Sequence, residues 1–234
     1  MTGSGFGAAS DESVRGYIYI DPPPLLSSID KMTGSTEYPI KGPFYLSRVT
    51  EDDVEDVVEA MNNLEVINYL AGPPHLPYTE SDALRFISFA NDIPKDGIVR
   101  VWAIRDRTSK GKLIGSIAIR PSDDGPRAFG SSFEPLYSES RCASIGFWLH
   151  PNYHRLGIMS SAVHVLIHDI GIKLLGIYEY EASSFAGNYP SRKTFEKNGF
   201  TYMGFRPNKV TQNHTGKVFD SWEYYIDLRH KRSV

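Results

Sequence analysis

The order of patterns along the chain predicts an α/β (α+β) fold: a mixed, mostly antiparallel central sheet of about seven strands flanked by about four helices. Three observations carry this. From Phe44 onward the patterns run strand, two helices, three strands, helix, strand, helix, two strands, an order that sets helices on the faces of a sheet. Two strand-like runs, "VRVWAIRD" and "LIGSIAIR", are joined by the turn "RTSKGK", as antiparallel neighbours are. The stretch "IGFWLHPNYHRLGIMSSAVHVLI", Ile145 to Ile167, passes from an apolar run to a helical period with almost no linker.

The first forty or so residues mix Gly, Ser and Pro around one apolar patch, Tyr17 to Ile20, and read as a partly ordered arm. In "FYLSRVTEDDVEDVVEAMNN" a short strand precedes Thr50, a helix cap with Asp53 at capping-box distance, and Val54, Val57, Val58 and Met61 follow at helical spacing. Breakers in "AGPPHLPYTES" introduce a second helix, capped by Thr79 or Ser81, with Leu84, Ile87 and Phe89 expected to face inward. After the hairpin, Pro121 to Arg141 is long, polar and turn-rich, with Asp123, Asp124, Glu134 and Glu139 spread through it. A strand at Ala143 to Leu149 follows, then a helix from about Met159 with Ala162, Val163, Leu166, Ile167 and Ile170 on one face. A strand at "GIYEYEAS", a short helix near "PSRKTFEKNG" closed by Asn198 and Gly199, and strands at "FTYMGF" and "DSWEYYIDL" complete the chain.

Composition bounds what such a chain does. At 234 residues, 41% hydrophobic and 23% charged, it suits one soluble domain with an extra arm. A formal net charge of -3 supplies no overall attraction for nucleic acid or an anionic membrane, so neither is expected as a partner. The single cysteine, Cys142, excludes an intramolecular disulfide framework and suits a reducing compartment. No apolar stretch reaches the ~20 residues of a membrane span and no leader pattern opens the chain, so a cytoplasmic protein is the expectation.

The strand-to-helix junction is the most informative feature. First-turn N–H groups lack intrahelical partners and the helix dipole adds positive charge there, so a Gly-bearing entry loop can wrap a phosphate. "HPNYHRLGIMSS" has this form, with Gly157 permitting close approach, Arg155 a guanidinium, and Ser160 and Ser161 hydroxyls. An ordinary tight connection has the same form. No P-loop pattern occurs, which excludes that nucleotide-binding class. His164 and His168 stand four apart but lack the metalloprotease pattern and fall on a polar face, so no metal is expected. Cys142 has no neighbour that signals activation, and the basic end "LRHKRSV" reads as solvated.

"ASIGFWLHPNYHRLGIMSSAV" followed by "YEYEASSFAGNYPSRKTFEKNGFTYMGFRP" resembles the GNAT superfamily of acyl-CoA N-acyltransferases, in particular its RimJ/RimL-like branch. The likeness extends to "FYLSRVTEDD", "VWAIRD", "LIGSIAI" and "DSWEYYIDL". It implies a catalytic domain over residues 43–230, an arm over 1–42 and a tail over 231–234. It implies acetyl-CoA as acyl donor, with the strand before the junction holding the pantetheine arm and the junction holding the pyrophosphate. The family signature Q/R-x-x-G-x-G/A falls on His154, Arg155, Leu156, Gly157, Ile158 and Met159; His154 replaces Gln or Arg, and Met159, in place of a small residue, must turn into the core. The cofactor set implied is Trp148, Leu149, His150, the six signature residues, Ser160, Asn188, Ser191 and Lys193. Asn188 and Ser191 are equally good helix-capping types.

The implied reaction is direct attack of a neutral amine on the thioester, which needs a base, an oxyanion donor and an acid for the leaving thiolate. A backbone N–H near Leu149 is the candidate donor and Ser191 the candidate acid. Family members carry Glu where this chain has Ser144, and an unassisted serine is a poor base at neutral pH. Glu179 and Glu181 share a face of the next strand and are candidate bases through water, or else solvated or ion-paired carboxylates. The acceptor is a small-molecule amine or a protein or peptide N-terminus, with "NYLAGPPHLPYTES", the acidic segment from Pro121, and Tyr69, Tyr78 and Tyr137 as candidate walls; the chain is a monomer or homodimer. Two rival readings remain: a non-catalytic acyl-CoA sensor, motivated by Ser144 and His154, and a thiol hydrolase using Cys142.

Overall fold

The structure, a computed structural model, describes residues 37–73, 75–91, 100–122 and 142–229. Among these, eight strands form one sheet in the order β1-β2-β3-β4-β5-β6-β8-β7. They are β1 (Tyr38–Pro39), β2 (Phe44–Arg48), β3 (Arg100–Asp106), β4 (Lys112–Pro121), β5 (Cys142–Leu149), β6 (Glu179–Phe185), β7 (Thr201–Thr211) and β8 (Val218–Asp227). The helices are α1 (Val54–Met61), α2 (Leu64–Ile67), α3 (Glu80–Asn91), α4 (Ile158–Val165), which runs on as a π-helix over Leu166–Leu175, and α5 (Tyr189–Lys197). Every neighbouring pair is antiparallel except β5 and β6, which are parallel. The mixed, mostly antiparallel sheet is therefore as expected. The two additions, β1 and α2, are too short to show a period.

Strand alternation separates two cores. Ile117, Ile119, Ile145, Tyr180, Ala182 and Tyr224 point to the face covered by α4 and α5. Ala103, Leu113 and the partly buried Trp148 join α1, α2 and α3 on the other. In α4 and its continuation Met159, Ala162, Val163, Leu166, Ile167 and Ile170 are all buried, as their spacing predicts. By length and composition the 18-residue run Ile158–Leu175 is also apolar enough to cross a membrane, which the sequence reading did not expect; half of it is buried against the rest of the protein. The π stretch accommodates Tyr180: its hydroxyl donates to Ile177 O at 2.9 Å, and a Cβ on Gly171 would collide with it.

One expectation for α3 is corrected. Thr79 caps it, exchanging bonds with Asp82, but Leu84 and Phe89 are 46% and 53% exposed. Ala83, Ile87 and Ala90, spaced by four and three, form the buried stripe instead. Thr50 and Asp53 behave as predicted: the Asp53 carboxylate accepts from Thr50 N–H at 2.7 Å, and Arg105 of β3 grips its two oxygens at 2.6 and 2.8 Å. The acidic segment read as a pocket wall falls outside the described residues from position 123 to 141, Tyr137 included.

Candidate active site

The parallel strands pair over only four residues, from Cys142 opposite Glu179 to Ile145 opposite Ala182. Beyond that point β5 still pairs with β4 through Leu149, and β6 still pairs with β8 through Phe185, so the two strands diverge and a gap opens between them. His150 N–H donates to Ile114 O of β4 at 2.8 Å. Alternation then turns the N–H groups of Phe147 and Leu149 away from β4, into the gap. The side chains divide, Trp148 toward the α1–α3 face and Leu149 toward the α4 face.

At the end of β5 the chain makes a 3-10 turn, Pro151–Tyr153, and enters α4 through two left-handed residues, Arg155 (φ 63°) and Gly157 (φ 77°). The first main-chain bond into the helix runs from Ser161 N–H to Gly157 O, 3.1 Å, so the N–H groups of Ile158, Met159 and Ser160 have no acceptor within it. Arg155, Leu156 and Gly157 are exposed, so the backbone here is open to approach. The two departures from the family pattern find places. Met159 is buried among α4 neighbours, and His154 Nε2 lies 2.9 Å from Leu149 O, tying the loop to the strand end. His150 stays at the start of this segment: its Nδ1 accepts from Asn152 N–H at 3.3 Å, capping the 3-10 turn, while its Nε2 lies 3.8 Å from Glu59 of α1.

The far end of the gap is bounded by α5. Asn188 Oδ1 accepts from Ser191 N–H at 3.2 Å, so the capping role is realised, with Asn188 buried and the Ser191 side chain half-exposed. Phe195 of α5 packs on Phe147 with ring centroids 5.3 Å apart, which sets the helix beside the unpaired part of β5. Lys193 is exposed on the outer side of this helix.

On the α1–α3 face, one cross-sheet row holds Arg120, Ser144, Glu181 and Tyr225 as successive Cα partners. Glu181 therefore stands level with Ser144, one strand over, and is half-exposed. Glu179 is a different kind of carboxylate: it is 2% exposed, accepts from Tyr225 OH at 2.5 Å and pairs with Arg229 Nη1 at 3.1 Å. Burial, then the Glu179 hydrogen bond, push the Tyr225 hydroxyl well above its ordinary pKa. Cys142 is pushed up to about 12, first by burial and then by the charges of Glu181 and Glu179, so its thiolate is suppressed where a thiol hydrolase needs it.

Three residues of this region escaped the sequence reading. Lys41, in the turn after β1, donates to Leu156 O at 2.9 Å directly over Gly157; only the folded sheet edge brings it there. Glu223 of β8 is buried opposite Ser183 and accepts from Ser221, one level nearer the gap than Glu181. Its alternation with Tyr225 was the available signal. Arg120 lies over Gly146, where a Cβ would stand 2.7 Å from Nη2, so the glycine in "SIGFW" admits this guanidinium. The β7–β8 turn also reaches across to α2, with Gln212 Nε2 donating to Ile67 O at 3.2 Å and Asn213 N–H to Ala71 O at 2.7 Å. Of the tyrosines named as walls, Tyr78 is buried with its hydroxyl on Asp82 O, and Tyr69 is exposed.

Three comparisons bear on this arrangement. No curated protein sequence matches the chain. The fold is similar to that of Mycobacterium smegmatis RimJ solved with CoA-disulfide (TM-score 0.66, 16% identity, 86% of this chain and 91% of that one). It is similar to the ribosomal-protein-S5-alanine acetyltransferase of Vibrio fischeri (TM-score 0.63, 16% identity, 85% and 100%). A GNAT-family acetyltransferase from Bacillus anthracis gives TM-score 0.61 at 19% identity, over 83% and 100%. Residues 44–201 match the model of the acetyltransferase (GNAT) domain, and that span takes in the gap, the Gly157 loop and the start of α5. The chain belongs to the GNAT acetyltransferase family.

Proposed function

We propose that the chain transfers the acetyl group of acetyl-CoA to a primary amine by direct attack within a ternary complex. The carrying observation is the gap between β5 and β6, whose walls stop pairing at Ile145 and Ala182 and whose end meets the exposed Gly157 loop. The residues present fit acetyl-CoA: unpaired strand donors suit an amide-bearing pantetheine arm, and the unpartnered N–H groups heading α4 suit its diphosphate. Bound there, acetyl-CoA supplies a thioester carbon open to attack.

The chain's own residues then take distinct roles. Leu149 N–H, aimed into the gap, is the donor to the oxygen that gains charge. Glu181, level with the serine that stands where relatives carry an acid, takes the proton from the amine, directly or through water. Glu179 does not, since it is buried, with Oε2 held by the Tyr225 hydroxyl and its charge paired with Arg229. The C–N bond forms first, and as the C–S bond then breaks, Ser191, at the head of α5, passes a proton to the sulfur, directly or through water, and is reprotonated from solvent. Fold likeness to proteins described as a ribosomal L7/L12 alpha-N-protein acetyltransferase and as an acetyl transferase that modifies the N-terminal serine of L7/L12 favours a protein N-terminus over a small amine as acceptor.

The test is calorimetry with acetyl-CoA followed by thiol release over a panel of N-terminal peptides and small amines. Binding together with acceptor-stimulated release is expected. Binding without release from any acceptor would favour the non-catalytic sensor that Ser144 and His154 suggest. Glu181→Gln is expected to lower kcat by about 10²–10⁴ and to abolish the acidic limb of the rate profile with acetyl-CoA affinity unchanged. An intact acidic limb would remove Glu181 from the mechanism.

A further inference from the structure

The level at which β5 and β6 stop pairing carries two opposite charges, one on each wall. Ile145 opposite Ala182 is the last pair, so Gly146 and Ser183 face each other across the opening gap. Arg120 leans from β4 over Gly146, where a Cβ would stand 2.7 Å from its Nη2. On the other wall Ser183 is exposed and pairs with Glu223 of β8. By alternation from Ser144, Glu181 and Tyr225, this level falls on the α1–α3 face. That face is turned away from α4, so Arg120 is not a partner for the diphosphate proposed at the Gly157 loop. Neither charge is neutralised among the described residues. Arg120 makes no ion pair there, and its partner on β5 is the uncharged Ser144. Glu223 is 8% exposed, and its side-chain partner is the Ser221 hydroxyl. A carboxylate withdrawn from water is costly without a cation beside it.

We propose that the acceptor carries a carboxylate beside its reacting amine, Arg120 receiving the carboxylate and Glu223 the amine in the ammonium form in which it arrives. Glu181, diagonal to Glu223 on the same face, then takes the proton. A guanidinium meets a carboxylate with two parallel N–H donors, so it reads geometry as well as charge. Two strand spacings, about 10 Å, separate the backbone of Gly146 from that of Glu223, and the open gap widens this. Such a span suits the side-chain carboxylate of an acidic residue in the first or second place of a peptide better than an α-carboxylate next to the nitrogen. The assignment rests on the acetyl-transfer reading and names the acceptor's class.

The experiment measures thiol release by the full chain with acetyl-CoA and acceptors matched but for one charge. Peptides carry Asp against Asn, or Glu against Gln, in the first or second place, and alanine against alaninamide forms a separate arm for the α-carboxylate. Wild type is expected to favour the acidic member at least about tenfold in kcat/KM, Arg120→Ala to bring that ratio near one, and Arg120→Lys to keep part of it. Added salt should shrink the ratio, because Arg120 is exposed. Glu223→Gln is expected to raise KM for both members alike and to keep the ratio, with acetyl-CoA calorimetry as the check that each variant is folded; if Glu223→Gln does not fold, the Arg120 variants decide. A preference in the peptide arm identifies a side chain as the source of the carboxylate, one confined to the alanine arm identifies the α-carboxylate, and both support the proposal. A wild-type ratio near one overturns it and leaves acetyl transfer standing. A ratio that survives Arg120→Ala overturns it as well, as does an unchanged KM in folded Glu223→Gln. Binding of acetyl-CoA with no release from any acceptor removes the acetyl-transfer reading and this proposal with it.

Discussion

At Gly157 a single residue combines two constraints. Its φ of 77° is one that L side chains resist, and a Cβ there would come 3.3 Å from Lys41 Nζ. Gly157→Ala is expected to cost about 1–2 kcal/mol of stability and to weaken acetyl-CoA binding, read together by denaturant titration and calorimetry. Asp82 offers a titratable test. Thr79, through side chain and backbone, holds its carboxyl down to about 2 from an ordinary 3.8, aided by Arg85 and His75. A carboxyl lowered in the folded state contributes stability above its unfolded value that is lost as pH falls through the folded value. The melting temperature of wild type should therefore decline between about pH 4 and pH 2, and Thr79→Ala, lower at pH 7 by roughly 2–4 °C, should converge with it in that window. A constant offset down to pH 2 would remove Asp82 from the account.

At the scale of elements, the break in β5–β6 pairing opens the gap proposed for acetyl-CoA, and the β7–β8 turn reaches across to α2. Gln212 is buried, and its amide donates to carbonyls of Ile67, Asn68 and Leu70 around the end of α2. Gln212→Ala leaves these acceptors without that donor, at about 1–2 kcal/mol. Faster amide exchange confined to the turn and to α2, with a raised KM for the acceptor and unchanged acetyl-CoA affinity, is the expected outcome. A changed acetyl-CoA affinity alone would mean that the turn serves the donor side. The same scale explains why α3 turned its face: Leu84 and Phe89 are the larger apolar residues, but Ala83, Ile87 and Ala90 let the helix approach the sheet closely. Size misled a reading made on hydrophobicity alone.

Across the molecule the two cores share one sheet, so strain on one face reaches the gap. Gly171 sits over the Tyr180 hydroxyl, and Tyr180 lies in β6 at the level of Ala143, within the short parallel pairing. Gly171→Ala should destabilise the whole domain by about 1–3 kcal/mol, visible as a lower denaturant midpoint with an unchanged slope. Binding that draws on strand, loop and helix at once should also be felt globally. At a hundredfold excess over Kd, acetyl-CoA is expected to add about 2.7 kcal/mol, raising the melting temperature by roughly 5–10 °C.

The amino-acid pattern alone determined what depends on near neighbours. The strand-to-helix junction at Gly157, the buried stripe of α4, the Thr50 and Thr79 caps and the Asn188 cap are all set within a few residues, so local sterics and periodicity reveal them. Those same residues carried the family resemblance. Tertiary structure decided whatever requires two distant segments to meet. It separated Glu179 from Glu181, which look alike on one strand, because Tyr225 and Arg229 arrive only with β8 and the residues after it. It brought Lys41 over Gly157, 116 positions away in the chain, and it ended the pairing of β5 with β6. Pairing, burial and charge neutralisation are properties of partners, and a single strand does not name its partners.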